Sequence, residues 1–229
     1  MTGTFKDPRL TRCNAGVAMV EFALGAPFLL MAGLWGIELA NYALVTMKVN
    51  QLAIHVADNA SRIGDSATLQ DRKIFEEDVN DLLLGANIQA GKGLNLYQRG
   101  RVIVSSYEIW KPDNHKANGV VTTGGTPYIA WQRCKGVKPI KSDYGVQNSA
   151  MKKGLGPAGE EVYPEPETPI IFVEITYDYQ PIFSTGFISS TTIKSYSSFV
   201  VRDVRDQWDI YKRNAGTPIA DCKIYDTFT

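Results

Sequence analysis

The chain has 229 residues with 24 basic and 24 acidic side chains, so its formal net charge is zero. This length suits one small domain with an anchor better than two domains. No basic patch interleaved with aromatic residues occurs, and this excludes nucleic acid from the expected partners.

An apolar stretch dominates the N-terminal part of the chain. From Cys13 to Met47 there is no Lys or Arg, and the only acids are Glu21 and Glu38. At about 1.5 Å per residue, a helix over residues 17–45 would measure roughly 43 Å, more than the apolar core of a bilayer at about 30 Å. The sequence therefore predicts a transmembrane segment at residues 17–45 in contact with membrane lipid.

The flanking charges predict the orientation of this segment. The basic residues Lys6, Arg9 and Arg12 precede it. By the positive-inside rule, residues 1–16 form a cytoplasmic leader and residues 46–229 form an exported domain.

Glu21 lies inside the apolar stretch, where a carboxylate is costly unless a partner neutralises it. If the chain is cut after Gly16, Val17 becomes a new N-terminus whose positive amine lies one helical turn from Glu21. The amine of the same or a neighbouring subunit could then pair with the acid. The alternatives are an uncleaved signal anchor and a secretory signal peptide, whose apolar region is only about 7 to 15 residues long.

This pattern, cleavage after Gly with Glu at the fifth mature position, resembles the class III signal of type IV pilins and pseudopilins. The longer match, Gly16-Val-Ala-Met-Val-Glu-Phe-Ala-Leu-Gly-Ala-Pro27 followed by Gly36-Ile-Glu38, is similar to the TadE/TadG-type minor pseudopilins of the tight adherence (Flp) pilus system. Leaders of this family often carry a basic cluster directly before the Gly, whereas Asn14 and Ala15 stand there in this chain.

The resemblance implies a structural protein of the bacterial inner membrane, with one membrane pass and a periplasmic head. A prepilin peptidase would cut it after Gly16, and the residues of this processing site would be Gly16, Val17, Glu21 and Phe22. Its implied partners are other minor pseudopilins, the major Flp-type pilin and the inner-membrane assembly platform. Incorporation into an extracellular pilus stays open.

Further assembly contacts are predicted inside the apolar stretch. Ala32, Gly36 and Ala40 recur every four residues, a spacing that lets another helix approach closely in lipid. Glu38 and Asn41 share one helix face, and polar groups in a bilayer usually point at protein. The predicted assembly contact consists of Glu21, Glu38 and the three small residues Ala32, Gly36 and Ala40, although small residues also recur by chance in such helices.

The helical period continues beyond the membrane as an amphipathic helix ending near Gly64. A second helix is predicted from a Thr-x-x-Asp start at Thr68 and Asp71 to Gly85. The apolar stripe of the first helix consists of Val45, Val49, Leu52 and Val56, and its polar side consists of Lys48, Gln51, His55, Asp58 and Arg62. The predicted buried face of the second helix consists of Ile74, Phe75, Val79, Leu82 and Leu83.

From there the period changes to two, which predicts strands at residues 101–110, 128–133, 170–179 and 193–201. The third alternates apolar residues with a polar face of Glu174, Thr176 and Asp178. Helices followed by strands predict an α+β fold. We expect a pilin-like arrangement, in which a long N-terminal helix continues into a head with a second helix and an antiparallel sheet.

Two further features of the exported part are a long loop and a pair of cysteines. Residues 142–169 are rich in Gly and Pro and form either a flexible excursion or a contact loop. With Cys13 in the leader, Cys134 and Cys222 remain as an even pair, which favours a disulfide in an oxidising compartment over two buried thiols. Such a bridge would hold the aromatic tail at residues 207–229.

No catalytic, metal or cofactor site is predicted. Residues 154–159 match G-x-G-x-x-G but lack the strand before and the helix after. His55 and His115 have no metal-ligand spacing around them. The predicted function is therefore that of a pseudopilin-like assembly component rather than an enzyme. The alternative is a membrane-anchored extracytoplasmic module that binds a ligand or protein, and such a module would not need a cleavable leader.

Overall fold

Helix α1 (Ala15–Arg62) carries the whole apolar stretch and continues beyond it, running through Pro27. Its outer half follows the predicted amphipathic pattern, because Val49, Leu52 and Val56 are at most 2% exposed. The helix ends two residues before Gly64, whose φ of +136° suits a glycine after a helix. The exposed polar side of this half includes Lys48, Gln51, His55 and Arg62.

The structure is a computed structural model that describes residues 15–64, 72–109, 125–166, 168–183, 186, 188, 191–201 and 205–228. The chain divides into two compact units. One comprises residues 1–43 and 181–189, and the other comprises residues 44–180 and 190–229. Several predicted features lie outside the described residues. They are residues 1–14 of the leader, His115, and the predicted helix start at Thr68 and Asp71.

The second predicted helix is in fact a short strand followed by a longer helix. Strand β1 (Arg72–Phe75) precedes helix α2 (Glu76–Leu94). The predicted end at Gly85 is wrong, because one exposed helical glycine costs only about 1 kcal/mol relative to alanine. The helix bends instead at Gly91, where φ is +71°. Its predicted contacts through Val79, Leu82 and Leu83 are confirmed as buried.

Acidic residues fix the start of α2. Glu76, Glu77 and Asp78 occupy its first turn, where negative charge complements the helix dipole. The carboxylate of Asp78 also accepts a hydrogen bond of 3.3 Å from the backbone N–H of Phe75. The short helix α3 (Leu96–Arg99) then leads into the main sheet.

All four predicted strands are present, and they form one antiparallel sheet in the order β3-β2-β4-β5. Their bounds are β2 (Gly100–Ile109), β3 (Pro127–Lys135), β4 (Ile170–Asp178) and β5 (Thr192–Val200). A further strand, β6 (Arg205–Tyr211), pairs in parallel with β1 and forms a second, two-stranded sheet. The α+β class is therefore confirmed.

The predicted polar face of β4 is not solvent-exposed. Glu174 is 4% and Thr176 is 8% exposed. The reason is that the Gly- and Pro-rich segment folds over this face of the sheet. Leu155 of this segment is completely buried and packs with Phe172 of β4 in an apolar cluster. Isolated bridges such as Leu155 to Val162 hold the segment in shape. It is a cover of the sheet rather than an open excursion.

Candidate functional site

The apolar half of α1 is open along almost its whole length. Val17 is 58% and Phe22 is 72% exposed, and the most apolar window of the helix has no buried residue. By length and composition, α1 is able to cross a membrane. An exposed apolar surface of this length is typical of a site that contacts a membrane or another protein.

The residues of the predicted processing site lie on the first turns of this helix. Gly16, Val17, Glu21 and Phe22 are all exposed. Within the described part of the chain, Glu21 forms no hydrogen bond or ion pair. The helix thus presents one carboxylate on an otherwise apolar surface, and the processing role of these residues stays a prediction.

Glu38, the second acid of the apolar stretch, has a different environment. Its side chain is 0% exposed. The backbone N–H of Ile182 donates to both carboxylate oxygens, at 3.2 and 3.0 Å, and that of Phe183 donates at 2.9 Å. Part of its hydrogen-bonding capacity is therefore used within the chain, and a role in assembly stays a prediction.

The predicted small-residue face of α1 is open. Ala32, Gly36 and Ala40 are exposed, and a Cβ atom added at Gly36 would meet no atom within 4 Å. There is room for another helix along this line.

The pair Cys134 and Cys222 is joined by a disulfide. Arg101 of β2, only 1% exposed, also binds the tail beside the disulfide. Its guanidinium donates to the carbonyl of Cys222 at 2.7 Å and to that of Ile224 at 3.2 Å. The backbone N–H of Cys134 donates to the carbonyl of Ala220 at 2.8 Å. The tail is therefore fixed to the sheet by several bonds around the bridge.

The tail also closes onto the first turn of α2 through Glu77. The hydroxyl of Thr217 donates to this carboxylate, and so do the backbone N–H groups of Asn214 and Arg213. The hydrogen bond from Thr217 is the main cause that lowers the pKa of Glu77 to about 2; burial opposes it, and the N–H groups of Asn214 and Arg213 add to the lowering. The carboxylate is thus held ionised at the helix N-terminus.

A cavity of about 590 Å³ lies beside the disulfide. One of its walls is Arg133, whose charge is already paired with buried Glu76. Across the described residues, no group of three or more His, Cys, Asp or Glu has the arrangement needed to hold a metal ion. The other polar residues that line the cavity include Ser142, Gln147, Asn148, Asp221 and Lys223.

The sequence did not reveal Glu174 as a buried acid. Ser142 donates its hydroxyl to one carboxylate oxygen, and the backbone N–H of Asp143 donates to the other at 3.0 Å. Burial nevertheless raises the pKa of Glu174 from 4.5 to about 7, because desolvation outweighs these hydrogen bonds. Asp143 is held in turn by Lys194 at 2.6 Å and by the Tyr196 hydroxyl at 3.2 Å.

This shift predicts a pH dependence of stability. Between pH 4.5 and about 7, the folded protein keeps a proton on Glu174 that the unfolded chain has released. The free energy of unfolding should therefore fall as pH rises through this window, by on the order of 3 kcal/mol. Glu174→Gln should remove this fall, because its amide oxygen can accept from the Asp143 N–H while its NH2 group donates to the Ser142 hydroxyl oxygen. Denaturant titrations of the detergent-solubilised protein at pH 4.5 to 8 would measure it.

The exposed acid Glu160 provides the matched control. Glu160→Gln should leave the fall of stability with pH as it is in the unmodified protein. A Glu174→Gln protein that keeps the same fall would show that another group causes it.

No family model matches the chain, and neither a curated protein nor a solved structure matches it significantly. What the fold defines is a class: an α+β protein with an antiparallel four-stranded sheet and an N-terminal helix able to cross a membrane.

Proposed function

We propose that this protein is a minor pseudopilin-like structural and assembly component of a tight adherence (Flp) type IV pilus. In this proposal α1 anchors it in the bacterial inner membrane, and a prepilin peptidase cleaves it between Gly16 and Val17. The observation that carries the proposal is the motif from Gly16 to Phe22, which stands at the start of a long, exposed apolar helix.

The contrast between the two acids of α1 supports an assembly role for Glu21. The chain supplies partners for Glu38, whereas the described residues supply none for Glu21. On insertion scales, an acid at the centre of a membrane helix costs about 2.5 to 3.5 kcal/mol, and Glu21, one helical turn inside the segment, would bear part of this cost. After cleavage, the amine of Val17 on a neighbouring subunit would neutralise Glu21, so association of subunits would lower this cost.

Cleavage is the direct test. N-terminal sequencing of protein extracted from the membrane of the native host should begin at Val17. Gly16→Asp should leave the leader attached, because a charged side chain replaces the small residue at the bond to be cut. Gly25→Ala, a change at another glycine whose surroundings are open, should be processed normally. A native chain that still begins at Met1 would refute the pseudopilin proposal.

The cavity beside the disulfide favours a second candidate, a membrane-anchored binding module. Its volume of about 590 Å³ falls in the range of small-molecule sites, about 300 to 1,000 Å³. The same sequencing experiment separates the two candidates, since a binding module does not need a cleavable leader and would keep residues 1–16.

A further inference from the structure

The segment between β4 and β5 contributes to the same compact unit as the apolar half of α1. The part that belongs to this unit begins at Pro181, and residues 181–183 are not helical. Ile182 is 56% and Phe183 is 46% exposed, although both side chains are large and apolar. We call residues 181–183 the membrane loop, for the reasons that follow.

Two backbone N–H groups of the membrane loop pair with the carboxylate of Glu38. Irregular backbone exposed to lipid does not occur inside the hydrocarbon core, so a non-helical segment that touches lipid has to lie at the boundary of the bilayer, where pairing its N–H groups lowers the cost. A carboxylate there also needs donors. The N–H groups of Ile182 and Phe183 both bind Glu38, at 3.2 to 2.9 Å, and the carboxylate is completely buried. The carboxylate is hidden while the apolar side chains of Ile182 and Phe183 stay exposed.

Position along α1 indicates where in the bilayer this contact lies. Counted from Val17 at about 1.5 Å per residue, Glu38 is roughly 32 Å along the helix, at the outer edge of an apolar core of about 30 Å. Trp35 and Tyr42 flank it in sequence, and these residue types are enriched at membrane interfaces.

The exposed side chains next to Glu38 identify the occupant of this surface. Ile37 is 54% and Leu39 is 45% exposed, so α1 is apolar and exposed on both sides of the residue that binds the loop. Apolar side chains held against a helix that crosses the membrane have the same surroundings as that helix, namely lipid.

We propose that the membrane loop is a second membrane-contacting element, which places Ile182 and Phe183 among the lipid chains at the outer boundary of the bilayer and is held there by Glu38. The inference rests on the proposed membrane anchorage of α1, but it does not depend on cleavage or on incorporation into a pilus.

The test measures lipid contact at three sites of matched exposure. In full-length Cys13→Ser protein with its disulfide intact, single cysteines are introduced as Ile182→Cys, Ile37→Cys or Val146→Cys. These parent residues are 56%, 54% and 55% exposed. Each cysteine is labelled with an environment-sensitive fluorophore, the protein is reconstituted into phosphatidylcholine vesicles, and quenching by nitroxide-labelled lipid chains is measured.

We expect the label at Ile182→Cys to lose emission to an extent comparable with Ile37→Cys, while Val146→Cys keeps its emission. Quenching at Ile37→Cys alone would overturn the inference and leave the anchorage of α1 intact. A blue-shifted but unquenched label at Ile182→Cys would place a protein there instead of lipid and would also overturn it. Absence of quenching at both sites would refute the anchorage itself.

A second variant tests whether the carboxylate holds the loop. Glu38→Leu makes α1 more apolar, so insertion should persist and Ile37→Cys should remain quenched. The loop loses its acceptor, and quenching at Ile182→Cys should fall towards the value at Val146→Cys. Glu21→Leu, the same change at the other acid of the helix, should leave it unaltered. Unchanged quenching in the Glu38→Leu protein would overturn the role of Glu38.

Discussion

Replacing both Cys134 and Cys222 by serine is expected to lower the free energy of unfolding by roughly 4 to 5 kcal/mol in the chain-entropy model. The two residues are 88 positions apart, so the bridge restricts a large part of the unfolded chain. The native tail keeps its bonds to Arg101, and the variant should therefore still fold. Denaturant titration of both proteins under identical detergent conditions would measure the difference.

The third cysteine of the chain supplies the control. Cys13→Ser removes a thiol that takes no part in the bridge, and it should leave the free energy of unfolding unchanged. Equal stability of the unmodified protein and the Cys134→Ser, Cys222→Ser double variant would mean that the hydrogen bonds around the bridge alone hold the tail.

The strands of the main sheet could be predicted because local sequence specifies them. Each consists of a run of β-branched and aromatic residues bounded by turn residues, and the structure agrees with the predicted bounds to within about two residues. The pairing of β1 with β6 could not be predicted in this way. It joins Ile74 to Ile210 across more than half of the chain, and Ile74 and Phe75 fit the helical spacing of the residues that follow them.

Burial of polar residues was equally hidden from the sequence. Alternation along β4 places Glu174 on one face, but it does not show that a Gly- and Pro-rich segment covers that face. Likewise, the apolar stretch shows that the carboxylate of Glu38 is costly to place in a membrane, but it does not show that the N–H groups of Ile182 and Phe183 bind it. Both contacts depend on residues far away in sequence, which periodicity cannot report.

Breaking the buried ion pair between Glu76 and Arg133 should destabilise the protein by about 3 to 5 kcal/mol, because it leaves one charge buried without its partner. Glu76, the first residue of α2, is 1% exposed, and Arg133 on β3 is 9% exposed. The guanidinium donates to both carboxylate oxygens, with its Nε atom 3.2 and 3.0 Å from them. Glu76→Gln keeps the shape and removes the charge, so denaturant titration of this variant isolates the electrostatic loss.

The comparison with an exposed pair and a double variant makes this test decisive. Asp58 and Arg62 on α1 lie 2.8 Å apart, but the Arg62 side chain is 73% exposed, so Asp58→Asn should cost no more than about 0.5 kcal/mol.

Glu76→Leu combined with Arg133→Met removes both charges, and it should be more stable than either single change because no unpaired charge remains. If the single changes cost as little as Asp58→Asn, or if their effects simply add in the double variant, the pair does not act as a unit. The start of α2 would then be held to the sheet by apolar packing alone.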